Sequence, residues 1–319
     1  MQKIFEYDLI FLLKKIPYLW FFSILNGLTN FLLFVILARY LSIDNYGLFY
    51  SSFILLSFFS SFTGFGLDTL ILKFFGKYKK ELLKFRKNFI FYFIFTSVIS
   101  IIFYLITILL LKNTFNFIYS LSLIPLIFNL FLINLVNIKL QLEKKFIYLS
   151  ILNFLHNFLR FIILLFFYYF FTITIQNAIL IFIISSCVMI ILCVYEIYKF
   201  DINQIIEKNN FLENNKSEKV HNSINNIIYV SKKSLPYGLA GLIFLIYYQI
   251  DIIFLKILKN DLSVSLYSCC FIILGAVYIF PFALTSKILT PSIHKYADKK
   301  ELLIKNLKIL LPIFLIFGL

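Results

Sequence analysis

One apolar stretch of the chain, residues 146–171, carries four polar side chains at helical spacing. Arg160, His156, Asn153 and Asn157 each lie three or four residues from another member, so a helix would place them on one stripe. A guanidinium forms charge-assisted, often bidentate hydrogen bonds with oxyanions, and imidazole and amide groups supply further donors and acceptors. The chemistry that this stripe offers is noncovalent binding of a polar or anionic group.

Further candidates lie in other parts of the sequence. A parallel stripe of Ser23, Asn26, Gly27 and Asn30 occupies an early apolar run, and Gln249 and Asp251 occupy a later one. Lys73, Lys287 and Asp68 lie near the ends of apolar runs. An ionisable residue deep in an apolar span is costly and normally faces a bundle interior or an aqueous cavity. We therefore expect the polar faces of these runs to line one cavity.

The amino-acid composition of the chain indicates the environment of these residues. Of the 319 residues, 61% are apolar and 14% charged, against roughly 45–50% and ~25% in a soluble domain. Only a bilayer can cover so much apolar surface, so the sequence predicts an all-α integral membrane protein, a polytopic helix bundle. The net charge is +15, but the sequence contains no basic helix interleaved with aromatic residues, so we do not expect the protein to bind nucleic acid. No metal-ligand or catalytic constellation is evident, and we predict no metal, no cofactor and no enzyme.

Eight apolar runs are long enough to cross a bilayer core, which takes about 20 helical residues. They cover residues 16–38, 46–72, 89–111, 115–138, 146–171, 174–198, 236–257 and 262–286. A ninth run begins near Leu302, is interrupted by Lys305 and Lys308, and stops at Leu319. Its uncharged part is too short to cross, so we expect the sequence to end inside a span.

The basic residues are distributed unequally between the two sets of loops. One set, together with the N-terminus, holds 25 of the 30 Lys and Arg residues, whereas the other holds only Arg39, Lys112, Lys256 and Lys259. Because Lys and Arg collect on the cytoplasmic side, the N-terminus of this multi-pass protein of the cell (inner) membrane is predicted to be cytoplasmic. Three parts follow: a six-helix lobe at 1–198, a cytoplasmic linker at 199–235, and an incomplete second lobe at 236–319 with two complete spans and a partial third.

An internal repeat across this linker is indicated by two sets of correspondences. Arg39, Leu41 and Asp44 correspond at an offset of 217 to Lys256, Leu258 and Asp261. After one inserted residue, Leu48, Phe53, Ile54 and Leu56 correspond at 218 to Leu266, Phe271, Ile272 and Leu274. The alternative is that two apolar hairpins match by composition. A real repeat predicts two parallel halves related by an axis along the membrane normal.

Four phrases of the sequence resemble a known family. ILARYLSIDNYGLFYSSF and GFGLDTLILKFFGK resemble the first hairpin of polysaccharide (O-antigen and capsule) flippases of the multidrug/oligosaccharidyl-lipid/polysaccharide exporter superfamily. LPYGLAGLIFLIYYQIDIIFLKIL and SLYSCCFIILGAVYIFPFALTSKILTPSIHKYAD resemble the start of the second half of the same proteins. Members typically have twelve or more helices in two lobes, so the resemblance predicts a C-terminally truncated member.

The resemblance implies a transporter for surface polysaccharide assembly, such as that of lipopolysaccharide. It would flip an undecaprenyl-diphosphate-linked oligosaccharide from the inner to the outer leaflet by alternating access around a cationic cavity, driven by proton or sodium movement. Its partners would be this lipid-linked substrate, membrane lipids, and the polysaccharide polymerase and chain-length machinery. On this hypothesis Arg160 binds the diphosphate, and His156, Asn153, Asn157, Asn26 and Asn30 line the cavity. Lys287 and Lys73 attract the headgroup, and Asp251 and Asp68 are the ion-coupling candidates.

Several alternatives stay open at this point. Arg160 and Asp251 could form an ion pair that only fixes one helix against another, and Asp68 is typical of a helix end near the interface. At the level of the whole protein, the alternatives are a cation-coupled drug antiporter of the same superfamily, an integral-membrane glycosyltransferase or polymerase, and an inactive truncated remnant. The short external loops and the lack of an acid/base constellation argue against the enzyme.

Overall fold

The described part of the chain folds into helices, most of them joined by short turns. The computed structural model describes the backbone of residues 2–77, 79–143, 145–199 and 225–284, and the side chains of residues 18, 21–73, 88–143, 145–199, 228–275 and 277. Within these ranges there are ten helices and no strand, so the predicted all-α fold is confirmed. They are α1 (Gln2–Tyr40), α2 (Ile43–Ser60), α3 (Leu67–Lys77), α4 (Lys79–Leu110), α5 (Phe117–Ser122), α6 (Ile124–Leu142), α7 (Phe146–Phe170), α8 (Ile175–Tyr198), α9 (Asn225–Leu258) and α10 (Asp261–Leu284).

Six helical segments are long and apolar enough to cross a membrane, by length and composition. They are Phe21–Tyr40, Asn88–Leu110, Phe117–Leu142, Phe146–Phe170, Ile175–Tyr198 and Ile228–Leu258. Their outward surfaces are apolar as well; on α4, for example, Phe95, Val98 and Ile102 are all about half exposed. Because such surfaces are stable only in lipid, the predicted polytopic membrane bundle is confirmed.

Two of the eight predicted spans are interrupted. The run predicted at 46–72 divides into α2 and α3, separated by a turn at residues 61–66. The run predicted at 115–138 divides into α5 and α6 at Leu123, just before Pro125 in the first turn of α6. A proline lacks the N–H that would continue the hydrogen-bond ladder, so a break falls there naturally. Hydropathy alone did not predict these breaks, because both sides of each are equally apolar.

The turn between α2 and α3 has its backbone groups satisfied by neighbouring helices. The Gly64 N–H donates to the Thr96 hydroxyl of α4 at 2.9 Å, and the Ser100 hydroxyl donates to the Phe59 carbonyl. Tyr92 of α4 donates to the Phe65 carbonyl at 3.4 Å. Irregular backbone at membrane depth is tolerated only where it is buried in protein in this way. The break is therefore stabilised by hydrogen bonds with the neighbouring helix α4.

The short turns at the predicted outer face share one device for starting the next helix. In each, a side-chain oxygen accepts a hydrogen bond from a backbone N–H in the first turn of the helix, which is the usual N-cap arrangement. The caps are Ser42 for α2, Asn116 for α5, Thr174 for α8 and Asn260 for α10, accepting from the N–H groups of Asn45, Tyr119, Asn177 and Ser263 at 3.0–3.4 Å. These caps explain how tight connections can join such apolar helices.

The last two described helices pack directly on the first part of the chain. Helix α9 contacts α2, α3 and α4, and α10 contacts α1 and α2. Glycines permit the closest approaches: a Cβ on Gly66 would lie 2.3 Å from the Gly238 nitrogen, and one on Gly47 would lie 2.1 Å from the Asp261 carbonyl oxygen. Small residues at such points let helix backbones meet closely in a membrane, where packing rather than hydrophobicity drives association.

The region predicted to be a linker is partly helical. Helix α9 begins at Asn225, ten residues before the predicted end of the linker, and continues through Pro236. Residues 200–224, the ninth apolar run and Lys287 lie outside the described residues.

Candidate polar site inside the bundle

Arg160 of α7 lies in the interior of the bundle. It is 4% exposed, and its guanidinium carbon lies 4.7 Å from the centre of the Phe182 ring of α8, a cation–π contact. Its Nη1 donates to the Asn157 Oδ1 at 3.4 Å, whereas Nε and Nη2 are buried with no hydrogen-bond partner among the described residues. None of the carboxylates in the described side chains lies within 4 Å of it. The guanidinium therefore retains two free donors in a sealed, water-poor environment.

Asn157 connects this arginine to the first helix. Its side-chain nitrogen donates to the Asn26 Oδ1 of α1 at 3.0 Å, while its oxygen accepts the hydrogen bond from Arg160. The resulting chain of hydrogen bonds runs from α7 to α1. Both amides are thereby oriented, and the predicted approach of the two polar stripes is observed at these residues. Asn30, one turn further along α1, is half-buried in the same region of that helix.

His156 and Asn153 face α6 rather than α1. The His156 Nδ1 lies 3.4 Å from the Asn129 side-chain nitrogen, which also donates to the Ser186 hydroxyl of α8 at 3.3 Å. The roles in this contact depend on the tautomer of the histidine: when the Asn129 amide donates, Nδ1 accepts and the ring proton is on Nε2. Asn153 exchanges two hydrogen bonds of 3.3 Å with Asn137 of α6. One helix thus presents its polar stripe to three neighbours.

Asp251 is placed away from this site. It is exposed on α9, and its carboxylate accepts a 3.0 Å hydrogen bond from the Tyr267 hydroxyl of α10. Asp251 and Tyr267, with Phe254, Leu255, Leu258 and Lys259, line a cavity of about 370 Å³ between these two helices. The ion pair between Arg160 and Asp251, which the sequence left open, is not formed. Gln249 also points elsewhere, since its Oε1 accepts from Ser57 of α2 at 3.3 Å.

The remaining predicted site residues lie toward the other end of the bundle. The Lys73 ammonium of α3 donates to the Tyr237 hydroxyl of α9 at 2.9 Å, with the Tyr237 ring centre 5.6 Å away. Asp68 is exposed in the first turn of α3, where a carboxylate is favoured by the helix dipole, and it accepts a hydrogen bond from Thr69. Neither side chain contacts Arg160. Lys287, predicted to act with Lys73, falls among the residues that are not described.

Four residues of the polar network were not predicted from the sequence. Asn129 and Asn137 of α6 are eight residues apart and so share a helix face, a signal as readable as that of α7. Ser186 gave a weaker signal, because serine is common in membrane helices. Phe182 gave none, since a phenylalanine that lies over a guanidinium cannot be told from one that packs in the core.

The network holds one buried cation, the guanidinium of Arg160, with no carboxylate within 4 Å among the described side chains. A buried cation without a counter-ion costs several kcal/mol, and the cost is relieved when an anion accepts its free N–H groups. The described side chains contain no group of three or more His, Cys, Asp or Glu residues that could hold a metal ion. The fold and the network together define a class: a multi-pass helical membrane protein with a charged side chain enclosed between its helices.

A comparison with protein families assigns this class more closely. Residues 12–297 match the family described as polysaccharide biosynthesis protein, and the chain belongs to that family. The match confirms the resemblance recognised in the sequence. Members of the family are transporters, and their substrates are in general lipid-linked sugars. Searches of curated proteins and of solved structures found no match.

Proposed function

We propose that this protein flips an undecaprenyl-diphosphate-linked oligosaccharide from the inner to the outer leaflet during surface polysaccharide assembly. The observation that carries the proposal is the buried guanidinium of Arg160, whose Nε and Nη2 have no partner among the described residues. A diphosphate presents several anionic oxygens, and two of them match the spacing of a guanidinium fork. The resemblance to flippases of undecaprenyl-diphosphate-linked oligosaccharides implies a substrate that carries this group.

The other polar residues fit supporting roles. Asn157 and Asn26 hold one side of the guanidinium in place, and Phe182 covers one of its faces. His156 and Asn129 offer further groups to sugar or phosphate oxygens. Because the site is sealed in this arrangement, substrate would reach it when α7 separates from its neighbours, which agrees with alternating access. Lys73 would meet the headgroup at the cytoplasmic face, where we also place the N-terminus.

We further propose that the two ends of the described chain belong to two halves related by an axis along the membrane normal. Helices α1 and α9 end, and α2 and α10 begin, 218 residues apart, so the helix ends match at the offset of 218 and not at the offset of 217 that relates Arg39, Leu41 and Asp44 to Lys256, Leu258 and Asp261. Contacts across the α2–α10 seam are reciprocal at the same offset. Gly47 approaches the Asp261 carbonyl, and its counterpart Ser265 donates a hydrogen bond to the carbonyl of Ile43, the counterpart of Asp261. Such pairing is typical of a two-fold axis.

Deleting the gene from its host tests the proposed activity. We expect surface polysaccharide to be lost, and its lipid-linked units to accumulate on the cytoplasmic leaflet, where an impermeant glycan-modifying reagent added outside cannot reach them. Re-expression of the protein should restore the surface polysaccharide and remove the accumulated lipid-linked units. Normal export in the deletion strain, or accumulation of the units on the outer leaflet, would contradict a flippase.

Asp251 is the proposed coupling residue, and Asp251→Asn tests it. The Tyr267 hydroxyl can donate to an amide oxygen as it does to the carboxylate, so we expect the free energy of unfolding to change by no more than about 0.5 kcal/mol. Transport should persist while losing its dependence on the proton or sodium gradient, measured by collapsing each gradient with an ionophore. Asp44→Asn, at an exposed helix start, is the matched control and should keep that dependence. Unchanged gradient dependence in Asp251→Asn would exclude Asp251 from coupling.

A further inference from the structure

A groove with an apolar wall and a polar mouth runs between α7 and α8. It has a volume of about 140 Å³ and is lined by Tyr148, Ile151, Leu152, Leu155, Leu192, Tyr195 and Glu196. Tyr148 lies in the first turn of α7 and Tyr195 in the last turn of α8, so the mouth is at the end of the bundle predicted to be cytoplasmic. Tyrosines are enriched at this level of a membrane protein, where one end of the ring meets lipid and the other water. The groove therefore spans the boundary between acyl chains and headgroups.

The carboxylate at the mouth is fully engaged by other side chains. Glu196 Oε2 lies 3.0 Å from the Lys139 ammonium of α6, and its Oε1 accepts a 2.9 Å hydrogen bond from the Tyr148 hydroxyl. Lys139 is 4% exposed and also lies 3.9 Å from Glu143, which pairs at 2.6 Å with Lys145. This cluster joins the ends of α6, α7 and α8, and its two carboxylates pair with its two lysines.

Lys199 lies beside this mouth and gives the described side chains there a net charge of +1, because the two lysines and two carboxylates of the cluster balance each other. It directly follows α8 and is exposed, with its ammonium 3.9 Å from the centre of the Tyr195 ring. No carboxylate in the described side chains lies within 4 Å of it. The hydrogen bond that it donates to Tyr195 and the nearby Glu196 raise the pKa of Lys199, so it is charged at neutral pH. An anionic group at headgroup level would balance the charge of Lys199.

We propose that the groove binds one phospholipid with a net negative headgroup, such as phosphatidylglycerol. One acyl chain would lie along Ile151, Leu155 and Leu192, and the phosphate would accept hydrogen bonds from the Lys199 ammonium. An apolar cavity of ~150 Å³ can hold a molecule the size of benzene, so the groove has room for a segment of an acyl chain. The charge of Lys199 favours a net anionic lipid over a zwitterionic one. This site is separate from the transport site at Arg160 and does not depend on the proposed transport function.

Native mass spectrometry of the purified full chain in detergent tests the proposal. The protein is mixed with equal amounts of phosphatidylglycerol and phosphatidylcholine, and the retained lipids are counted. We expect one phosphatidylglycerol to be retained in preference to phosphatidylcholine. Lys199→Gln should reduce that preference about fivefold, the effect of ~1 kcal/mol for one basic residue at an anionic surface. Lys112→Gln, an exposed lysine at the opposite end, is the matched control and should leave the preference unchanged.

A second variant tests the contribution of the groove independently of the charge of Lys199. Leu192→Trp fills the groove from an exposed position and should lower retention of both lipids without changing the thermal unfolding midpoint. Inorganic phosphate at millimolar concentration should not displace phosphatidylglycerol, since it lacks an acyl chain. Equal retention of the two lipids by the unmodified protein, an unchanged preference in Lys199→Gln, unchanged retention in Leu192→Trp, or displacement by phosphate would each overturn the proposal.

Discussion

Arg160→Met should abolish transport while leaving the protein folded. None of the described carboxylates lies within 4 Å of the enclosed guanidinium, so replacing it by an apolar side chain of similar length removes a buried charge and two donor nitrogens that have no partner among the described residues. Such replacements are often neutral or stabilising. If the free N–H groups bind the diphosphate, their loss removes two charge-assisted hydrogen bonds, together at least ~3 kcal/mol, and transport should fall by about 100-fold or more. Surface polysaccharide in a complemented deletion strain and thermal unfolding in detergent provide the two measurements.

Two further variants sharpen this experiment. Arg160→Lys keeps the charge without the planar fork and should retain an intermediate activity, because a point charge replaces bidentate recognition. Arg39→Met, at an exposed arginine near the end of α1, should keep both transport and stability. If Arg160→Met lowers the unfolding midpoint by several degrees and Arg160→Lys restores it, the arginine has a structural role and the substrate assignment fails.

Gly66→Ala should destabilise the bundle strongly. Gly66 has a φ of +74°, a conformation that costs a residue with a side chain about 1–2 kcal/mol. In addition, the new Cβ would lie 2.3 Å from the Gly238 nitrogen and 2.5 Å from the Ser234 carbonyl oxygen, both backbone atoms that move only with α9. Overpacking of this kind costs a further ~1–3 kcal/mol. We expect a loss of about 3 kcal/mol or more, seen as a lower unfolding midpoint and a smaller monodisperse fraction in size-exclusion chromatography.

Gly241→Ala is the matched control for this effect. Gly241 lies in the same helix that Gly66 approaches, but a Cβ built on it has no neighbouring atom within 4 Å. Alanine at an open helical position is neutral or favourable by up to ~1 kcal/mol relative to glycine. A stability of Gly66→Ala equal to that of the Gly241→Ala protein would show that the α2–α3 turn and α9 do not meet as closely as described.

The positions of the membrane-spanning segments could be predicted from the sequence. The runs predicted at 146–171 and 174–198 agree within a residue with α7 and α8, because an apolar segment of this length in lipid must satisfy its backbone as a helix. The breaks at residues 61–66 and at Leu123 were not predicted. They depend on hydroxyl groups of other helices, such as Thr96 and Tyr104, which bond the freed backbone atoms.

The partners of the polar residues were decided by the tertiary structure. Spacing within the sequence places Arg160, Asn157 and His156 on one stripe and estimates their depth, and this much was sufficient to select them as a site. It contains no information on which neighbouring helix each side chain meets, because that depends on the rotation of every helix about its own axis and on the order of packing. Asp251 has a depth similar to that of Arg160 but faces Tyr267, whereas Asn129, which was not selected, bonds His156. The depth of a residue in the membrane follows from its position in its own helix, whereas its contacts depend also on the helix that packs against it.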